Sequence, residues 1–245
     1  MLLNKIDHHS VSSVQLWADC PKSWWSKYVL DLSKPSSAAA SFGSQYDSEI
    51  SRRLGIPTID RHTGEPIKPP EVLMEGVDEA VKGYFSQPDA FLDANKAQGE
   101  VRISPEQWAI FGELHGVCVE IKKDILGYVD LENPLKSKLV DIKTSKRAVM
   151  QAKWAFQVLI YSLERQYKTA EIHLMTTTKV PAWYNYPIQI NEDTLRWAIL
   201  NFTFYANQIE AALESGNGEN LAANPDYYCS WCPVDLSCVA ARIGG

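Results

Sequence analysis

Three residues in one short stretch have the types and spacing for phosphodiester chemistry. Asp141 and Lys143 lie two apart in Leu139-Val140-Asp141-Ile142-Lys143-Thr144. On a strand both point to one face, and Val140 and Ile142 point to the other, where they can pack in a core. Asp130, in Gly127-Tyr128-Val129-Asp130-Leu131, supplies a second carboxylate. Two acids and an amine are costly to gather unless a metal or an anion is handled there. Phosphodiester hydrolysis needs a hard cation to polarise the phosphoryl oxygen and acidify the attacking water. Mg²⁺ takes one or two carboxylates plus waters and substrate phosphate, and a lysine can neutralise charge that develops in the transition state. Alone, D-x-K also fits an exposed strand with a surface ion pair. Gln157 and Tyr161, four apart on the next helical stretch, share one helix face and extend the set to G-Y-x-D, D-x-K-T, Q-x-x-x-Y.

A second group is formed by cysteines. Cys229, Cys232 and Cys238 are spaced C-x2-C-x5-C, and Cys20 precedes Pro21 far upstream. With Cys118 the chain has five, and the start of the sequence lacks the apolar stretch of a secretion signal, so a disulfide framework is disfavoured and metal or cluster binding is the better expectation. Cys118, between Val117 and Val119, reads as a small buried residue.

The elements that must position these residues follow from the patterning of a 245-residue chain, long enough for a sizeable core. Ser12 or Ser13 can cap a first helix, broken at Cys20-Pro21 and followed by a second helical stretch. Its Trp24, Trp25 and Tyr28 read chiefly as core, although lysines between them also permit stacking on single-stranded nucleic acid. Residues 33–41 read as a loop, 42–54 as a helix, 55–70 as an irregular surface excursion rich in Pro, and 71–91 as a helix. A sheet begins near Gly99. Strands are expected at 100–103 and loosely at 113–121, then a hairpin of Gly127–Leu131 and Leu139–Thr144 around an Asn133-Pro134 turn. A helix at 148–167, strands at 170–177 and 183–190, and a long helix capped by Asn191 and ended by Gly216 complete the chain. This is a mixed α/β (α+β) arrangement with helices at both ends.

The net charge of −6 argues against a broadly basic nucleic-acid coat, but the charge is uneven. Between residues 136 and 153 stand Lys136, Lys138, Lys143, Lys146, Arg147 and Lys153 against one acid, Asp141. No apolar run is long enough to span a bilayer, which points to a cytoplasmic protein, or one of the host cytoplasm if viral.

In their order along the chain, Gly127-Tyr128-Val129-Asp130, Asp141-Ile142-Lys143-Thr144 and Gln157-Val158-Leu159-Ile160-Tyr161 resemble the PD-(D/E)XK nuclease superfamily in its RecB-like branch. The resemblance implies a restriction-endonuclease-like mixed sheet flanked by helices. It implies one nuclease domain over 1–245, with a helical N-terminal part at about 10–95, a nuclease core at about 98–190, and a C-terminal helix and cysteine loop at about 191–240. By the same resemblance Asp130 and Asp141 bind Mg²⁺ or Mn²⁺, Lys143 assists the water, Gln157 and Tyr161 position metal or DNA, and Glu100 matches an acidic position on an earlier strand. The family's G-x-x-x-H helix is met by Phe42-Gly43-Ser44-Gln45-Tyr46-Asp47, so Asp47 stands where a metal-binding histidine is expected, and His62 is too distant to replace it. One cysteine near the start and three near the end resemble the iron–sulfur subgroup, which includes AddB-type nuclease domains and CRISPR-associated adaptation nucleases. There Cys20, Cys229, Cys232 and Cys238 would hold a [4Fe–4S] cluster that staples the two chain ends, with a four-cysteine Zn²⁺ site as the alternative.

The implied activity is a metal-dependent DNA exonuclease on single strands or duplex ends, in recombination, repair or processing, with phosphates steered by Lys136, Lys138, Lys146, Arg147 and Lys153. No G-x-x-x-x-G-K-[ST] motif is present, so unwinding would fall to a helicase or recombination partner. The competing readings are a DNA-binding or assembly subunit with weak or no cleavage, and an endonuclease.

Overall fold

The computed structural model describes residues 6–32, 36–57, 72–94, 96–97, 99–224, 229, 232 and 238. The excursion expected at 55–70 lies almost wholly outside these residues, as does His62. Among the described residues there are seven α-helices and two sheets. In chain order they are β1 (His8–Ser10), α1 (Val11–Asp19), α2 (Pro21–Tyr28), α3 (Ala38–Arg53), α4 (Val77–Phe85), β2 (Lys96–Ala97), β3 (Glu100–Ile103), α5 (Pro105–Leu114), β4 (Asp124–Tyr128), β5 (Leu131–Asn133), β6 (Lys138–Ser145), α6 (Ala152–Arg165), β7 (Thr169–Thr176), β8 (Trp183–Ile188) and α7 (Glu192–Ser215). They fall into two compact units. One comprises 1–35, 102–126 and 196–245, and the other 36–101 and 127–195. Among the described residues no helix is long and apolar enough to cross a membrane.

The second unit carries a five-stranded sheet in the order β2-β5-β6-β7-β8, parallel between β6 and β7 and antiparallel elsewhere. Asp141 is in register with Ile172 and, beyond it, Tyr186. Lys143 is in register with Leu174 and then Tyr184. Residues in register share a face, so Asp141 and Lys143 lie with Ile172 and Leu174 on the face where α6 packs. The opposite face presents Val140, Ile142 and Met175 to a core built with Tyr46 and Ile50 of α3 and Val77, Val81 and Tyr84 of α4. The alternation expected from D-x-K is thus realised: acids and lysine to one side, β-branched residues to the other.

The other unit packs α1, α2, α5 and α7. Trp24 and Trp25 are buried, Trp17 meets Trp24 edge-on at 5.2 Å, and Trp108 Nε1 donates to Thr203 Oγ1 at 2.9 Å. The core reading of Trp24 and Trp25 holds. His9 is fully buried against Glu210, which also meets Lys123.

Several expectations are corrected. The segment 113–121 is not a strand. Ser104 and Gln107 form a reciprocal capping box with Pro105 at the first helical position, so α5 runs through Leu114 and a loop follows. Cys118 is consequently exposed rather than buried. Ser10, not Ser12 or Ser13, caps α1. Helix α4 is shorter than 71–91 because it starts beyond Gly76, whose φ of 83° suits glycine. Gly127–Leu131 is not one strand: β4 ends at Tyr128, β5 begins at Leu131, and the hairpin proper is β5–β6 around a short 3-10 turn at Pro134–Lys136.

Candidate active site

The break between β4 and β5 is what places Asp130. Leaving the ladder there, Asp130 turns its carboxylate onto β6, where Oδ2 accepts the Ile142 backbone N–H at 2.9 Å. This fixes Asp130 beside Asp141, and both are buried, at 8% and 2% exposure. Lys143 reaches back to Asp141, Nζ to Oδ2 2.7 Å, with about a fifth of its side chain exposed (22%). Asp141 Oδ1 is buried and meets no hydrogen-bond donor.

The electrostatics follow from this geometry. Burial pushes the Asp141 carboxyl up to about 7; Lys143 opposes the rise and the neighbouring Asp130 adds to it. Burial alone would depress Lys143, but Asp141 and Asp130 outweigh it and hold the ammonium above its ordinary value. Two acids facing one lysine leave an excess of negative charge in a buried place.

Helix α6 closes the same face. Gln157 Nε2 donates to the Tyr161 hydroxyl at 3.3 Å, as the four-residue spacing predicts. Tyr161 is buried and its phenol is pushed up to about 12 by burial and then by Asp141. The ring lies directly over Gly127: a Cβ there would sit 2.6 Å from the Tyr161 hydroxyl and 2.7 Å from its Cζ. The glycine of G-Y-x-D therefore exists to admit the tyrosine of Q-x-x-x-Y. A parallel case joins Gly43 of α3 to the threonine of D-x-K-T, since a Cβ at Gly43 would stand 2.8 Å from Thr144 Oγ1. Sequence reading found the motifs but not these fits, which join residues far apart in the chain.

The remaining expected site residues are distributed. Asp47 is half-buried on α3, one turn beyond Gly43, and Glu100 is exposed on β3. Among the described residues no group of three or more His, Cys, Asp or Glu side chains comes together as metal ligands. The four expected cluster cysteines are part-exposed, and none is in a disulfide. The chain after α7 nevertheless returns to Cys20. Asn224 Nδ2 donates to the Asp19 carbonyl at 2.9 Å, the Lys22 N–H to the Ala222 carbonyl at 3.1 Å, and Lys22 Nζ to the Gly218 carbonyl at 3.1 Å. Of the expected phosphate-steering residues, Lys136 pairs with Asp93, and Lys138 pairs with Glu171 at 2.7 Å and lies over the Phe91 ring. Lys146 and Arg147 are exposed, and Lys153 is half-buried.

The donor set suits a divalent ion. A hard cation is satisfied by one or two carboxylates with water and substrate phosphate completing its shell. Asp130 and Asp141 provide the carboxylates, and Asp141 offers a buried oxygen that no donor occupies.

The profile of the PD-(D/E)XK nuclease superfamily matches residues 8–239, and the chain belongs to that superfamily. No curated protein matches it. A solved structure described as a candidate exonuclease from Eubacterium rectale is similar over 98% of this chain and 88% of that one, with 15% identity and a TM-score of 0.60. The crystal structure of SSO0001 is similar over 97% of this chain and 89% of that one, with 16% identity and a TM-score of 0.50. At such identities these two show a shared fold.

Proposed function

We propose that the chain is a divalent-metal-dependent deoxyribonuclease of the RecB-like branch, acting as an exonuclease on single-stranded DNA or duplex ends. The observation that carries the reading is the buried Asp141–Lys143 pair beside Asp130, with one Asp141 oxygen lacking a donor. Asp130 and Asp141 would hold Mg²⁺ or Mn²⁺, which supplies Lewis-acid polarisation of the phosphoryl oxygen and a more acidic water. Lys143, at the exposed edge of the pair, donates to the attacking water or to a phosphoryl oxygen and stabilises developing charge. Gln157, oriented by Tyr161, completes the wall on the α6 side. Lys146, Arg147 and Lys153 steer the phosphates, with Lys136 and Lys138 contributing less because acids already share their charge. The exonuclease description of a fold relative supports the choice of exonuclease over endonuclease. The test is cleavage of end-labelled and circular DNA with Mg²⁺ or Mn²⁺ by wild type, Asp141→Ala and Lys143→Ala. Loss in both variants is expected, and cleavage surviving in both would overturn the assignment.

We further propose that Cys20, Cys229, Cys232 and Cys238 ligate a [4Fe–4S] cluster, with Zn²⁺ as the alternative. The hydrogen bonds that bring Gly218–Asn224 back to the Asp19–Lys22 corner support it. Protein purified without oxygen should absorb broadly near roughly 400 nm, as thiolate-ligated iron–sulfur centres do. A colourless protein with stoichiometric zinc would favour the alternative.

One observation favours a second reading, a DNA-binding subunit with weak cleavage: no third acid or histidine joins Asp130 and Asp141 among the described residues. Salt-sensitive DNA binding without turnover under any pairing of substrate and cation would support it.

A further inference from the structure

We infer that Tyr184 and Tyr186, on the outer strand β8, form a stacking platform for the bases of single-stranded DNA leading to the Asp141–Lys143 site; this rests on the nuclease reading above. Both tyrosines lie in register with the site, Tyr184 across from Leu174 and Lys143, and Tyr186 across from Ile172 and Asp141. They therefore stand on the same sheet face as the acids and the lysine. Two strand spacings separate them from the site, about 10 Å. Helix α6 covers β6 and β7 on that face. On β8 the covering is incomplete: Tyr184 is 40% exposed and Tyr186 half-buried.

The two rings are already arranged as a stack, with centroids 6.2 Å apart and planes 17° from parallel. Tyr186 is fixed by its hydroxyl, which donates to the Ala148 carbonyl at 3.1 Å. That contact ties the platform to the loop after β6, where Lys146 and Arg147 are exposed. The β7–β8 loop, with exposed Lys179, is joined to the same end of β6 by the Thr177 N–H, which donates to the Ser145 carbonyl at 2.8 Å. Two flat aromatic faces thus stand beside three exposed cations, on the same sheet face as a phosphate-handling pair and two strands from it. Alternation of stacking surface and positive charge is the requirement for a single strand, whose bases are free to stack and whose backbone needs neutralising. A duplex offers its phosphates but not its base faces. A tyrosine pair that merely packed a solvent-facing strand would need neither the neighbouring cations nor the register with Asp141 and Lys143.

The experiment measures binding of the full chain in EDTA, where no divalent ion supports cleavage. Fluorescein-labelled dT 12-mer and an abasic 12-mer are compared by anisotropy with wild type, Tyr184→Ala and Tyr184→Trp. Wild type should prefer the base-bearing strand. Tyr184→Ala should weaken that strand alone by about 5- to 150-fold, the range of one base–aromatic stack. Its salt dependence should be unchanged, because the phosphate contacts remain. Tyr184→Trp keeps a flat ring and should retain the preference, which separates lost stacking from misfolding. Equal binding of the two strands by wild type, or equal weakening of both in Tyr184→Ala, would overturn the proposal. Base-dependent binding without metal-dependent cleavage would overturn the nuclease reading alone, and cleavage without base-dependent binding would overturn this one alone.

Discussion

The β6–β7 pair carries a buried acid, Asp141, on one face and a half-buried acid, Glu171, on the other, and the two live under opposite conditions. Glu171, on the α3–α4 side, is fully served. Oε1 meets Lys138 at 2.7 Å, and Oε2 receives His173 Nε2 at 2.9 Å and Asn185 Nδ2 at 3.0 Å. Tyr84 in turn meets His173 Nδ1 and accepts the Phe91 N–H, so the ring's role is fixed from both sides. Burial pushes the Glu171 carboxyl up, but His173 and Lys138 more than offset it and bring it down to about 2. Asp141, on the α6 side, has one lysine, a like-charged neighbour and an oxygen without a donor, and is pushed up to about 7. Partners therefore decide how each acid titrates: Glu171 has three donors, whereas Asp141 keeps an oxygen that no donor occupies. Glu132, fully buried on the neighbouring strand β5, meets its donors on Oε2, from Arg165 at 3.1 Å and Tyr167 at 2.9 Å.

The largest expected effect breaks the α6-side pair. Asp141→Ala and Lys143→Ala should each lower metal-dependent cleavage by at least about 10²–10³-fold, comparable to removing a charge-stabilising group from an active site, as read by single-turnover rates on labelled DNA. Next comes the other face. Glu171→Gln should lower stability at pH 7 by up to about 3 kcal/mol and leave cleavage per folded molecule unchanged. Because the folded-state value of Glu171 lies below the ordinary one, its contribution is present above about pH 4.5 and disappears as pH falls through about 2. Urea unfolding of wild type and variant at pH 7 and pH 3 should therefore show a gap that narrows at the lower pH.

Smaller again, Gly127→Ala should cost about 1–3 kcal/mol by overpacking against Tyr161. Adding Tyr161→Ala should relieve part of that cost, a non-additivity measurable in a double-mutant cycle. The smallest expected effect sharpens the comparison from the ligand side. Mg²⁺ at ten times its Kd should stabilise wild type by about 1.4 kcal/mol, and Asp141→Ala should lose that shift while Glu171→Gln keeps it, in thermal unfolding with and without the ion.

What was legible in the chain was periodic. D-x-K-T declared a two-sided strand and Q-x-x-x-Y a helix face, and both stand where their spacing put them. What was illegible depends on partners distant in sequence. Nothing local to Asp130 announces that it will accept the Ile142 amide, and nothing at Lys136 or Lys138 that Asp93 and Glu171 will pair with them. The basic stretch that looked uniform divides between two faces for that reason. Helix α5 is a different case: Ser104-Pro105-Glu106-Gln107 is a complete helix-start signal, and it outweighs the loose alternation at 113–121. Cys118 is exposed because it lies in the loop after that helix rather than on a strand.

The interleaving of the two units imposes an order of assembly. The unit that holds Asp130, Asp141, Lys143 and Tyr161 is complete once Leu195 has been made, whereas the other needs the segment from Arg196 onward. On a ribosome adding about 5–20 residues per second, the acid-bearing sheet gains a head start of seconds. The α1–α2 corner with Cys20, although synthesised first, must wait for the last segment before the chain that closes on it exists. A nascent chain stalled within α7 would thus carry a finished sheet and an open cysteine corner.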